Sequence, residues 1–101
     1  MSFRLVVRPQ VDDDLQIIEE WYEEQRPGLG HEFLREVRET IDRLLANPLI
    51  YRSRYRRRQV RWAYTRRFPY RVIFRVTDDT VIVYTIIHEA RRDRLWKQRL
   101  E

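Results

Sequence analysis

The chain has 101 residues, 43% of them hydrophobic and 13% aromatic, which fits one domain, 1–101, with a single modest core. Only 2 Gly and 4 Pro interrupt dense apolar periodicity, which argues against disorder, and the absence of cysteine excludes disulfides, thiolate metal sites and a cysteine nucleophile. The 21 basic residues outweigh 16 acidic ones for a net charge of +5, and no apolar run is long enough to span a membrane.

Phe3 to Arg8 alternates apolar and polar positions and reads as a strand. Pro9 ends it and suits a first helical turn, and Asp12, Asp13 and Asp14 then sit where a helix dipole favours negative charge. Val11, Leu15, Ile18 and Tyr22 recur at helical spacing, so a first helix is predicted over 10–25. Arg26-Pro27-Gly28-Leu29-Gly30 is a tight break. Phe33, Leu34, Val37, Ile41, Leu44 and Leu45 give a second helix its apolar side, and Asn47-Pro48 stops it. Two helices so closely joined pair as an antiparallel hairpin.

After an arginine-dense connector over 49–58, three strands follow. Val60, Trp62 and Tyr64 alternate with Arg61, Ala63 and Thr65. Tyr70, Val72, Phe74 and Val76 alternate with Arg71, Ile73 and Arg75. Thr77-Asp78-Asp79-Thr80 is a hairpin turn, and Val81 to Ile87 is almost wholly apolar, as in a central strand covered on both faces. Asp93 is placed to N-cap a short last helix with Leu95 and Trp96. The predicted class is α+β in the order βααβββα: a helical hairpin packed on a small, mostly antiparallel sheet, with a short C-terminal helix. The other sheet face, or its rim, is expected to carry Arg61, Arg71 and Arg75, with Trp62, Tyr64 and Tyr70 sharing one core-facing stripe.

The charge is unevenly spread. Residues 10–45 hold 11 acids and 4 bases, a net of −7, whereas 49–77 hold 10 arginines and no acid. Lys97 is the only lysine, and arginine's planar, permanently charged fork suits phosphate and carboxylate. Three readings stand for the arginine cluster: a solvated basic surface, a phosphate-binding platform, or a dock for an acidic protein. Interleaved aromatics would permit base stacking, but their alternation fits a core better. No glycine-rich phosphate loop is present, and the two histidines, His31 and His88, lack metal-ligand spacing. His88 suits a general acid or base near neutral pH, or a structural histidine bonded to backbone. Arg91 suits a contact to a scissile phosphate, or an anchor for the last helix. Neither cofactor nor metal is expected.

Several segments together resemble the RelE/ParE superfamily of bacterial toxins from type II toxin–antitoxin systems, more closely its ParE-like members. They are Trp21-Tyr22-Glu23-Glu24-Gln25, Pro27-Gly28-Leu29-Gly30, Phe33-Leu34, Asn47-Pro48, Arg66-Arg67-Phe68-Pro69-Tyr70-Arg71-Val72 and His88-Glu89-Ala90-Arg91-Arg92, with Trp96 beyond. The resemblance implies a cognate antitoxin as partner, toxin–antitoxin hetero-oligomers and a cytoplasmic setting. ParE-like members inhibit DNA gyrase without a nuclease site. RelE-like members cut mRNA on the ribosome without metal, and for that activity the resemblance nominates Arg71, His88 and Arg91. Where RelE-like enzymes place lysines on the second strand, this chain has Trp62 and Tyr64, and Trp96 stands near their catalytic tyrosine. For contact with target or antitoxin the candidates are Arg57, Arg58, Arg61, Arg66, Arg67, Arg75 and Trp96. A non-toxic nucleic-acid-binding module is the remaining alternative.

Overall fold

Seven elements follow one another in the computed structural model, which describes residues 2–55 and 59–90 together with Lys97 and Leu100. They are β1 (Arg4–Val7), α1 (Pro9–Gln25), α2 (Leu29–Ala46), a 3-10 turn (Pro48–Ile50), β2 (Arg61–Tyr64), β3 (Tyr70–Thr77) and β4 (Thr80–His88). Arg8 is extended and Pro9 takes the first helical position, where its missing N–H costs nothing. The short last helix expected around Leu95 lies outside the described residues.

The link between α1 and α2 explains both glycines of the chain. Gly28 has a φ of 88°, a left-handed conformation that few side chains tolerate. Gly30 is buried at the crossing of the two helices, and a Cβ there would stand 2.5 Å from the Glu19 carbonyl oxygen. Glu23, in the last turn of α1, accepts from the Gly28 N–H at 2.8 Å and the Gly30 N–H at 3.1 Å. One carboxylate thus satisfies two amides that the start of α2 leaves without intrahelical partners.

The sheet order is β1-β4-β3-β2, with β1 parallel to β4 and the other pairs antiparallel. β4 and β3 are therefore central, as the apolar run of β4 implies. The helical hairpin covers one face. Phe33, Val37 and Leu44 of α2 and Val11 of α1 pack there on Ala63, Val72, Phe74, Val81, Val83 and Ile86. Tyr22, Phe33, Phe68 and Tyr70 form an aromatic knot at one end of this layer, with ring centroids 4.9–6.4 Å apart. A β-bulge at Ile73/Phe74 pairs Ile73 with Thr85 and Phe74 with Val83, which leaves Tyr84 unopposed. The extra residue shifts the alternation of β4, so Val83 and Ile86 both reach the helices although they are three apart.

The opposite face has a smaller core of Val60, Trp62 and Ile73, joined by Ile87 and Leu100. The cross-strand register separates the aromatic stripe expected from alternation. Trp62 pairs with Ile73 and Tyr64 with Arg71 on the face opposite the helical hairpin, whereas Tyr70 faces the hairpin. Tyr64 is not core: it is 52% exposed at the end of the edge strand β2.

Candidate functional site

Period-2 alternation sends Trp62 and Tyr64 of β2 and Arg71, Ile73 and Arg75 of β3 to the face opposite the helical hairpin. Before β2 the chain folds back on itself. Arg54 and Val60 exchange both backbone hydrogen bonds, N–H to O distances being 2.7 and 3.0 Å, and the Gln59 N–H donates to the Tyr55 carbonyl at 2.9 Å. Tyr55 and Gln59 have φ values of 59° and 49°, so two non-glycine residues take left-handed backbone to close this neck. The closure lays Arg54 and Tyr55 against Trp62.

The result is a set of cations stacked on rings. The Arg54 and Arg71 guanidinium carbons lie 4.1 and 5.0 Å from the Trp62 ring centroid, and Tyr55 lies 6.4 Å from Trp62, ring to ring. The Lys97 ammonium is 4.1 Å from the Tyr55 centroid. A second group forms around the bulged residue, with Arg8 4.8 Å and Arg75 5.9 Å from Tyr84. Each cation is attracted by the negative face of a ring within about 6 Å. Stacking holds the long side chains in place, so less rotamer entropy is lost when the face meets an anionic partner. Arg71 is only 5% exposed and forms part of the packing of this face.

The remaining arginines divide by location. Arg61 points to the helix side of the edge strand, not to the free face, and donates to the Tyr51 carbonyl. Its partner Phe74 faces the helices, and register forces Arg61 to do the same. Arg66 and Arg67 lie in the β2–β3 loop, which is drawn onto α2: both backbone N–H groups donate to Glu36 Oε1, at 2.6 and 2.7 Å. The Arg67 guanidinium lies 3.8 Å from Glu32 and 5.5 Å from the Phe68 centroid, and Arg66 is exposed. The described arginines of 49–77 therefore do not share one flank. Apart from the exposed Arg52, they form a stacked group on the face opposite the hairpin, a loop pair beside α2 and one edge residue.

His88 ends β4 opposite Tyr70, with ring centroids 5.4 Å apart, and its Nδ1 accepts the Ala90 N–H at 3.0 Å. That assigns the proton of a neutral ring to Nε2. Tyr70 faces the helices, so His88 lies on the helix side, whereas Arg71 is on the opposite face beside Ile87. Arg57, Arg58, Arg91 and Trp96 lie outside the described residues. Among the described residues no group of three or more His, Asp or Glu is arranged to hold a metal, and no helix is long and apolar enough to cross a membrane.

Glu36, Arg8 and Tyr84 are important residues that sequence reasoning missed. Glu36 had a signal: it falls on the Phe33, Val37, Thr40, Leu44 side of α2, where a carboxylate needs a partner. Tyr84 had none, because the bulge at which it packs, buried, depends on register.

A family model described as ParE toxin of type II toxin–antitoxin system, parDE, matches residues 5–93. Among solved structures, the chromosomal ParDE toxin–antitoxin system from P. aeruginosa is similar with a TM-score of 0.75 at 19% identity, over 86% of this chain and 96% of that one. A mutant of the E. coli toxin RelE in the free state is similar with a TM-score of 0.68 at 16% identity, covering 99% and 96% of the two chains. The archaeal RelE–RelB complex from Pyrococcus horikoshii OT3 gives 0.52 at 18% identity, covering 91% and 100%. These likenesses share the fold. No curated protein sequence matches.

Proposed function

The chain belongs to the ParE toxin family of type II toxin–antitoxin systems, and from that premise we propose that it is a cytoplasmic ParE-like toxin that inhibits DNA gyrase and is neutralised by a cognate antitoxin. The observation that carries the choice of target is the placement of Arg71 and His88 on opposite faces of the sheet. Acid–base cleavage of RNA needs its charge-stabilising and proton-transferring groups within hydrogen-bond reach of one phosphate and its neighbouring hydroxyl. Two side chains that leave a sheet in opposite directions do not meet that condition. The buried, ring-stacked Arg71 and the Nδ1 bond of His88 to backbone further favour structural duties for both.

An inhibitor needs only a surface, and the stacked cations supply one. The same face suits the antitoxin, whose segment would carry carboxylates to meet Arg54 and Arg75. The direct test is gyrase supercoiling with purified toxin in excess, alongside cell-free translation. Supercoiling is expected to stop while mRNA stays whole, and antitoxin is expected to restore activity. Unimpaired supercoiling with codon-positioned mRNA cuts would establish the RelE-like alternative instead. In that case Arg71→Ala would lower cleavage by roughly 100-fold or more.

A further inference from the structure

α1 carries seven carboxylates, at Asp12 to Asp14, Glu19, Glu20, Glu23 and Glu24, and no basic residue in its 17 positions. Asp13, Ile17, Glu20, Trp21 and Glu24 recur at helical spacing along its outer side, and all are exposed. Ile17 is 66% exposed and Trp21 54%. Single apolar side chains at a surface are ordinary, but an isoleucine and a tryptophan one turn apart, framed by carboxylates, form a patch with a chemical preference. It favours a partner that offers both cations and aromatic surface.

The molecule presents such a surface on its other side. The sheet face opposite the helical hairpin displays Tyr64, with Arg54 and Arg75 held on rings beside it. The Arg71 guanidinium, buried against Trp62, and the Lys97 ammonium over Tyr55 add positive charge to the same face. We propose that the acidic, apolar face of α1 docks on the cation–aromatic sheet face of a second copy of the chain, head to tail. A two-fold arrangement is disfavoured by sign. Helix against helix would bring Asp13, Glu20 and Glu24 of one copy against the same carboxylates of the other, and sheet against sheet would oppose Arg54 and Arg75 of both copies. The heterologous arrangement sets carboxylates against guanidinium groups and brings Trp21 to cations that already stack on rings. It is also open-ended: each added copy presents a fresh acidic face and a fresh basic face, and covers the basic face of its neighbour.

The test is sedimentation velocity on the purified full chain, free of antitoxin, across protein concentration and salt. Near 0.05 M salt the average mass is expected to rise with concentration. Near 0.5 M salt, where screening lengths shrink toward a few ångströms, it is expected to return to that of one chain. Two variants at exposed positions identify the surfaces. Trp21→Arg disables the acidic face and Tyr64→Glu the basic one, so each alone is expected to associate at least ~10-fold more weakly than the parent. Mixed, they retain one good face each and are expected to form a complex that stops at two chains. Circular dichroism checks that both variants are folded. A wild-type chain that stays single at low salt, an association that survives high salt, or a mixture that does not pair overturns the proposal. So does equal dimerisation of each variant alone, because that requires a two-fold contact.

Discussion

Replacing Glu36 removes the group that ties the β2–β3 loop to the helical hairpin. Glu36 is 8% exposed, and its Oε1 accepts the N–H groups of Arg66 and Arg67 at 2.6 and 2.7 Å. A hydrogen bond to a charged group contributes about 1.5–3 kcal/mol net. Two of them would total roughly 3–6, and water reaching the exposed side of the loop recovers part of this, so Glu36→Ala is expected to cost about 3 kcal/mol. That is a large share of the roughly 5–15 kcal/mol by which a small domain is stable. At about 4–8 °C per kcal/mol for a domain of this size, the melting temperature should fall by roughly 12–24 °C. Glu36→Gln keeps a carbonyl oxygen in place of the carboxylate and should lose about half as much, since neutral bonds contribute about 0.5–1.5 kcal/mol each. Calorimetry gives the totals. Native-state hydrogen exchange localises the effect, with the Arg66 and Arg67 amides expected to lose protection before those of β3. A Glu36→Ala protein within about 0.5 kcal/mol of the parent, with both amides still protected, would refute the claim that this carboxylate pins the loop.

Other substitutions separate the physical roles assigned above. Gly30→Ala forces a Cβ to 2.5 Å from the Glu19 carbonyl, so urea unfolding is expected to show a loss of about 1–3 kcal/mol; Gly28→Ala meets open space and should cost nearer 1 kcal/mol, from its φ of 88° alone. Trp62→Ala removes a buried side chain and the ring under Arg54 and Arg71, and about 3–5 kcal/mol of destabilisation is expected in the same assay. Arg71→Lys keeps the charge but not the planar stack on Trp62, and should cost about 1 kcal/mol; a lysine variant as stable as the parent would show that stacking contributes nothing there.

The helices were legible because each signal is local. Pro9, the spacing of Val11, Leu15, Ile18 and Tyr22, the Pro27-Gly28-Leu29-Gly30 break and Asn47-Pro48 bound α1 and α2 to within a residue or two of Pro9–Gln25 and Leu29–Ala46. The strands were legible as alternation, and the apolar run from Val81 marked β4 as central. Alternation does not say which side meets the helices, and here it misled. Trp62, Tyr64 and Tyr70 look like one core stripe, yet register sends only Tyr70 to the helical hairpin and turns Trp62 and Tyr64 to the opposite face, where Trp62 is buried under arginines and Tyr64 is left exposed. The same register takes Arg61 away from Arg71 and Arg75 and parts His88 from Arg71.

By itself the sequence determined the α+β class, the order of elements from β1 to β4, the family resemblance and the sign of charge in each half of the chain. Those properties depend on residue type and short-range spacing, which are written in one dimension. Tertiary structure alone decided which cations act together. Cross-strand pairing, the bulge that skips Tyr84 in the register and the capture of the β2–β3 loop by Glu36 join residues tens of positions apart. A one-residue change in register would reverse every facing on a strand. Grouping of charge is therefore a consequence of long-range hydrogen bonding that no local pattern encodes.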